Sequence, residues 1–172
     1  MWRPLALVLI ALGAAKCEKI AVVPPVSFHT DVGGAFATAR AQNKPVVVFV
    51  QADWDCGSKM LEQETFADPE VRLLLGHDFV PIRLDATDDE SPETRLNQER
   101  FRVIGVPTII LYDPDGRTEL ARFNSYIEAK DLRPMLAAAE RRDGGEAIRR
   151  LVAARDADLQ RRFAAANQPH AP

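Results

Sequence analysis

The spacing of hydrophobic and polar residues changes along the chain, and each change marks a predicted element. Residues 45–51, PVVVFVQ, are a continuous apolar run that favours a strand buried on both faces of a sheet. Residues 79–86, FVPIRLDA, alternate as a strand with one buried face does. Residues 105–123 indicate two more strands, joined by a proline-aspartate-glycine turn.

Helical patterns separate these strands. A cap at Thr30 or Asp31 begins the first helix. Gly33 and Gly34 each cost about 1 kcal/mol relative to alanine inside a helix, so this helix is expected to begin late or to fray. Further helices are predicted over residues 58–66, 68–75, 92–101 and 128–141. The order of elements predicts an α/β domain over residues 31–141, with a mixed central sheet flanked by helices.

An extra helix is predicted near the C-terminus, after the glycine pair at 144 and 145. Its apolar residues fall mostly on one stripe: Ile148, Leu151, Val152, Leu159 and Phe163. We expect this stripe to fold back on the domain; the alternative is a helix that binds a partner or a second copy of the chain. Residues 142–172 thus comprise this helix and a tail that we expect to be disordered from residue 167.

Residues 1–15, MWRPLALVLIALGAA, predict a secretory signal peptide. Arg3 precedes an apolar stretch, and the small residues Gly13 and Ala15 stand at the −3 and −1 positions of a cleavage site. The apolar run is shorter than the about 20 residues that span a bilayer, which argues against a membrane anchor. We therefore expect an exported protein, either periplasmic or secreted.

The segment after the predicted signal carries the first of two cysteines. Residues 16–30 are expected to form an N-terminal extension, with a short β-prone stretch at 20–23. Lipid attachment at Cys17 is a lesser alternative, because Lys16 stands before it in place of a small residue. In an oxidising compartment Cys17 and Cys56 can close a disulfide, and an unpaired thiol can remain reactive.

The composition limits the classes of ligand and partner. The 172 residues are 47% hydrophobic with a net charge of −3, which predicts one packed core and argues against a nucleic-acid partner. No integral membrane span is expected in the mature chain. His29, His77 and His170 lack ligand spacing to either cysteine, so we predict no metal site. No glycine-rich phosphate loop is present, and we predict no cofactor.

One stretch, ADWDCGSK at residues 52–59, has the form of a redox active site with its sulfur displaced. Trp54 and Lys59 keep the separation that they have around a C-x-x-C dithiol, and the motifs T-F-x-D-P-x-V and G-V-P-T follow. Through these motifs, roughly residues 31–140 resemble the thioredoxin superfamily, in particular the C-terminal thioredoxin-like domain of periplasmic thiol:disulfide interchange proteins of the Dsb system. The resemblance implies a thioredoxin-like fold and thiol-disulfide exchange among its relatives.

The resemblance also indicates a degenerate active site. The family's attacking cysteine falls on Asp55 and its resolving cysteine on Ser58, with Cys56 between them. Two cysteines three residues apart at a helix start share one face, whereas a shift of one position turns a thiol by about 100° around the helix. Active relatives usually carry an acid six positions before the attacking cysteine, and here that residue is Phe49. Nucleophile, resolving thiol and proton acceptor are therefore all replaced.

The replacements favour structural and binding roles. Asp55 is expected to cap the following helix rather than to act as a catalytic carboxylate, and its charge would oppose ionisation of Cys56. By resemblance, Pro107 is the family's cis proline, which exposes the backbone of Val106 to an extended peptide; a trans proline that opens a strand is the alternative. The predicted active-site turn and peptide-binding residues are Trp54, Asp55, Gly57, Ser58, Val106 and Pro107.

Three hypotheses for function follow. The first is an exported thioredoxin-fold protein that no longer cycles a dithiol and binds extended or unfolded protein segments, or a specific protein partner. The second is an enzyme that uses Cys56 as a single thiol for disulfide exchange with a client, with glutathione or with Cys17. The third is a structural subunit that assembles through its C-terminal helix.

Overall fold

The structure is a computed structural model, and it describes residues 23–141 and 144–166. The predicted signal at 1–15, Cys17, the tail from 167 and all but the last residue of the β-prone stretch at 20–23 lie outside the described residues. Their assignments therefore stay predictions.

Four strands in the described part of the chain form one mixed sheet in the order β2-β1-β3-β4. The strands are β1 (Val46–Gln51), β2 (Val80–Asp85), β3 (Thr108–Tyr112) and β4 (Glu119–Phe123). β1 is parallel to β2 and antiparallel to β3, and β3 is antiparallel to β4. The predicted α/β fold with a mixed sheet is therefore confirmed.

Helices cover both faces of this sheet. They are α1 (Val32–Gln42), α2 (Cys56–Met60), α3 (Pro69–His77), α4 (Pro92–Phe101), α5 (Ala129–Arg141) and α6 (Gly144–Ala166). Alternate residues of β1 enter two separate cores, because successive side chains of a strand point to opposite faces. Val47 and Phe49 pack on the side of α3, α5 and α6, whereas Val46, Val48 and Val50 pack on the side of α1.

Helix α1 begins earlier than its glycine pair predicted. Gly33 and Gly34 lie in its first turn, where Asp31 caps both of their amide groups. The carboxylate accepts hydrogen bonds from Gly33 N–H at 3.0 Å and from Gly34 N–H at 3.1 Å. A Cβ at position 34 would collide with this carboxylate. The expectation of a late start was therefore wrong, because the glycines give the cap room to close.

The helix predicted over 58–66 changes form halfway. Helix α2 continues into a π-helical turn over Leu61–Thr65, which is closed by a hydrogen bond of 2.8 Å from Phe66 N–H to Leu61 C=O. Thr65 is buried in this turn, and its hydroxyl donates to the carbonyl of Ile127 at 2.6 Å. The π-helical turn therefore occurs where Thr65 makes a hydrogen bond to a residue 62 positions later. The local pattern of apolar residues does not predict this bond.

Helix α6 folds back on the domain, as predicted, and packs against α5 and β4. Ile148 is buried in the larger core, and Leu151 and Val152 pack against it. The second half of the helix is more exposed, and Phe163 is 68% exposed there. Within residues 23–141 and 144–166, no helix combines the length and the apolar character needed to cross a bilayer.

Gly116 in the turn between β3 and β4 provides a test of the packing. Its φ is +69°, and a Cβ there would lie 2.7 Å from Cδ1 of the buried Phe36. We expect Gly116→Ala to lower the free energy of unfolding by about 1–3 kcal/mol, since it adds backbone strain and a clash. Urea denaturation followed by circular dichroism measures this change.

Gly76→Ala is the matched control for this prediction. Gly76 lies inside α3, and an added Cβ meets no atom within 4 Å. This substitution is expected to raise stability by up to about 1 kcal/mol, because alanine favours the helix. If both variants gained stability, the packing argument for Gly116 would be refuted.

Candidate functional site

The candidate site lies where β1 ends and α2 begins. Asp55 is the N-cap residue of α2, and its Oδ2 accepts a hydrogen bond of 2.6 Å from the Ser58 N–H. Its carbonyl also accepts from the Lys59 N–H at 3.3 Å. The predicted cap is therefore confirmed, and this carboxylate is engaged by the helix backbone.

Ser58 occupies the inner side of the first turn of α2. It is only 1% exposed, and its Oγ accepts a hydrogen bond of 3.3 Å from the Ala52 N–H. The hydroxyl therefore ties the end of β1 to the helix start. A serine in this place satisfies a backbone donor, but it has no sulfur with which to close a disulfide.

Cys56 is the first residue of α2, and its thiol is free and exposed. It can form a mixed disulfide with an accessible partner. A second thiol is needed to release that partner from the mixed disulfide. The described residues contain no second cysteine, because Cys17 lies outside them. Nor do three histidine, cysteine or acidic side chains of residues 23–141 and 144–166 converge to hold a metal ion.

The start of α2 packs against the loop that precedes β3. A Cβ added to Gly57 would lie 2.9 Å from Cδ and 3.2 Å from Cγ of Pro107. Pro107 is buried, Val106 before it is half-buried, and the peptide bond between them is cis. The structure thus brings together the two segments that the sequence assigned to one site, and Gly57 is the α2 residue in contact with the proline.

Trp54 stands on the turn before α2 and is tied to the segment after β2. The indole is 62% exposed, and its Nε1–H donates to the carbonyl of Thr87 at 3.1 Å. The hydroxyl of Thr87 accepts from Asp53 N–H at 2.9 Å and donates to Asp85 Oδ1 at 2.5 Å. The turn therefore holds an apolar ring toward solvent. Sequence reasoning missed Thr87, because Asp53 and Trp54, the two turn residues that it holds, lie more than 30 residues away.

Phe49 fills the core position where the family resemblance implies an acid in active relatives. Its side chain is fully buried, with ring centroids 5.0 Å from Phe66 and 6.2 Å from Phe28. The Cζ of Arg83 lies 6.0 Å from the Phe49 ring, and its guanidinium pairs with Glu62 at 2.7 Å. The position behind the site is therefore aromatic and holds no proton acceptor of its own.

An exposed apolar residue beside the proline loop was not predicted. Ile104 is 84% exposed, the highest value among the large hydrophobic side chains that the structure describes. Trp54 and Met60 are also exposed, and all three belong to the two segments that meet at Gly57 and Pro107. We call these three residues the apolar rim. One feature of the sequence indicates the exposure of Ile104: it is followed by a glycine and lies before the buried apolar run of β3.

The fold and this site define a thioredoxin-fold protein with a single cysteine in the described residues, at the start of α2. The family model described as a thioredoxin-like domain matches residues 32–140, which is more than half of the chain. The chain therefore belongs to the thioredoxin-like domain family.

A curated relative is similar to this chain in sequence, and two solved structures are similar to it in fold. Thiol:disulfide interchange protein DsbD of Salmonella typhi is 34% identical over 94 residues, which cover 54% of this chain and 16% of that protein. A thioredoxin from Thermus thermophilus has a TM-score of 0.57 at 22% identity, covering 66% of this chain and 86% of that one. The reduced DsbD C-terminal domain of Neisseria meningitidis has a TM-score of 0.51 at 24% identity, covering 63% and 91%. The two structures support the fold, and the chain spans only about a sixth of its DsbD relative.

Proposed function

We propose that this chain is an exported thioredoxin-fold module that binds an extended polypeptide segment, or a specific protein partner, without cycling a dithiol. The observation that carries the proposal is the state of the two former cysteine positions. Asp55 is engaged as a helix cap and Ser58 is buried against the backbone. Neither side chain can accept or return electrons through a disulfide.

Polypeptide is the ligand class that the surroundings of the site favour. A cis proline loop beside a helix start leaves backbone groups for main-chain pairing, and exposed apolar side chains supply contact area. The printed name of the DsbD relatives describes thiol:disulfide interchange, a reaction between sulfur-bearing molecules that include proteins. The proposed periplasmic or secreted location rests on the predicted signal at residues 1–15 and on this relationship.

An assay of disulfide reduction separates the binding module from an enzyme. We expect the purified protein to reduce insulin at less than a tenth of the rate of an active thioredoxin, since an internal resolving thiol is absent from the site. Cys56→Ala is the matched variant, and it is expected to leave the residual rate unchanged. Turnover near that of the active thioredoxin would refute the proposal.

A single-thiol exchange protein is the second candidate, and the exposed free thiol of Cys56 favours it. In that case Cys56→Ala, made in a Cys17→Ala background, would abolish formation of mixed disulfides with glutathione or with a client. Mass spectrometry after incubation with oxidised glutathione would then detect an adduct on Cys56. A chain that forms no adduct there would favour the binding module.

The apolar rim provides the test of binding itself. We expect Ile104→Asp to weaken the affinity for a reduced, carboxymethylated model protein by at least about tenfold, because it removes a contact of roughly 1.5 kcal/mol or more. Isothermal titration calorimetry measures the affinity. Leu73→Asp is the control, since Leu73 is 53% exposed on α3. Equal losses in the two variants, or no binding by the wild type, would contradict the proposed peptide surface.

A further inference from the structure

A pocket lies at the end of β3 that is remote from Pro107. It is bordered by α1, the end of α4 and the β3-β4 turn. Its volume is about 250 Å³. Three arginines line it: Arg100, Arg102 and Arg117. Its position and its lining distinguish it from the peptide surface proposed above.

The pocket has an excess of positive charge. Glu119 is the one carboxylate in its described lining, and Arg122 holds it through bonds of 2.9 Å from Nε and 2.8 Å from Nη2. No carboxylate of the described chain lies within 4.0 Å of the guanidinium groups of the three lining arginines. The whole chain has a net charge of −3, so this local cationic field opposes the overall charge.

Aromatic side chains position the first of these arginines. The Cζ of Arg100 lies 5.6 Å from the ring centroid of Phe36 and 5.4 Å from that of Phe101. Both rings are buried. A guanidinium that rests on rings keeps its N–H donors in its own plane, where an oxyanion binds through two parallel hydrogen bonds.

Tyr112 adds a neutral donor to the lining. Its hydroxyl makes no hydrogen bond to another described residue. Burial raises the pKa of Tyr112 and the charge of Glu119 adds to this, so the hydroxyl keeps its proton at neutral pH. Arg102, at the C-cap of α4, holds a left-handed conformation with φ 49°. Such a conformation is uncommon for a residue other than glycine, and the local fold maintains it here.

We propose that this pocket binds a phosphate dianion, as inorganic phosphate or as a small soluble phosphate monoester. The guanidinium groups of the three lining arginines bind its oxygens, with Arg117 shared electrostatically with Asp115, and the Tyr112 hydroxyl donates to it. A dianion is favoured over a carboxylate because two negative charges gain more from several cations placed together. Arginine is the side chain best suited to bidentate phosphate binding.

Calorimetric titration of the purified protein with inorganic phosphate and with glycerol 3-phosphate tests this site. At low salt we expect saturable binding with a Kd below about 1 mM for at least one of them. Arg100→Gln combined with Arg102→Asn is expected to weaken that binding by at least about tenfold, since it removes two of the three cations that donate to the oxyanion. Asparagine tolerates the left-handed conformation at position 102.

Arg95→Gln is the matched control, because Arg95 is an exposed arginine of the same helix that does not line the pocket. It is expected to change the affinity less than about twofold. Should the double variant fail to fold by circular dichroism, Arg117→Gln in the exposed turn replaces it, with weaker binding expected again. The proposal is overturned by absent saturation, by an equal loss in Arg95→Gln, by equal affinity for acetate, or by binding only to phosphatidylglycerol vesicles.

Discussion

Phe49→Ala will lower the free energy of unfolding by about 3–5 kcal/mol, the usual loss when a buried phenylalanine is truncated. Phe49 is fully buried in β1, and its ring contacts those of Phe66 and Phe28. The backbone around it is held by β2 on one side and β3 on the other, so the cavity cannot close easily. Urea denaturation gives the change in stability, and Phe49→Leu is the control, with a loss below about 1.5–2 kcal/mol.

Phe49→Asp places in this core the acid that the resemblance implies for active relatives. A carboxyl group desolvated among Phe28 and Phe66 will have a folded-state pKa above its unfolded value of about 3.9. The folded variant then binds more protons than the unfolded chain above about pH 4, so its stability falls by up to about 1.4 kcal/mol per pH unit until the folded pKa is reached. Arg83 is the cation that could oppose this shift, although Glu62 already pairs with it.

Denaturation between about pH 4 and 8 measures this dependence for Phe49→Asp and for the wild type. The wild type has no titratable group at this position, so its profile is the reference. A variant whose stability followed the wild-type profile would show that the carboxyl group had found solvent or a partner. In that case burial among aromatic rings would not explain why position 49 has no acidic side chain.

The parts of the fold that the sequence predicted correctly depend on local signals. The continuous apolar run of β1 implies burial on both faces, and all six of its residues are buried. The helix over 92–101 was placed by its proline and its polar pattern, and α4 has those bounds. The cap at Asp55 needed only a carboxylate before a helix start, and its partner is three residues away.

The parts that were missed depend on contacts between distant segments. The π-helical turn contains Thr65, whose hydroxyl bonds to Ile127, 62 residues later. Trp54 is tied to Thr87, 33 residues later, and no periodicity shows that pairing. The arginine pocket joins the end of α4 to a turn between strands. Such sites follow from the packing of the sheet and helices, which a local pattern does not specify.

The three positions at which the family resemblance implies reactive groups each have a structural role here. Asp55 satisfies a helix amide, Ser58 satisfies the Ala52 amide, and Phe49 fills the core. Capping and packing interactions of this kind stabilise a fold by about 1 kcal/mol for a cap and several for a buried ring. These three side chains therefore stabilise the domain, and none of them carries a thiol. This agrees with a module that binds a polypeptide without oxidising or reducing it.

Asp55→Cys combined with Ser58→Cys and Cys56→Ala is expected to restore a working dithiol. The two new thiols stand three residues apart at the start of α2, where side chains share one face about 5–6 Å apart at Cβ. A disulfide needs the two Cβ atoms about 3.5–4.5 Å apart, so the first turn must tighten by about 1–2 Å to close it, and the helix start favours the attacking thiolate. We expect insulin reduction at least about tenfold faster than in the wild type, which corresponds to a barrier lower by about 1.4 kcal/mol. Loss of the Asp55 cap will cost about 0.5–2 kcal/mol of stability.

Ser58→Cys alone is the control for the restored dithiol. It leaves Cys56 and the new thiol two residues apart, about 200° around the helix, so no bond can close within the turn. Peptide mapping by mass spectrometry after mild oxidation should find a disulfide between residues 55 and 58 in the triple variant and none between residues 56 and 58 in the control. Equal insulin reduction by the two variants, or a disulfide between residues 56 and 58 in the control, would show that the former cysteine positions are not Asp55 and Ser58. The exposed thiol of Cys56 would then be the redox group of this protein.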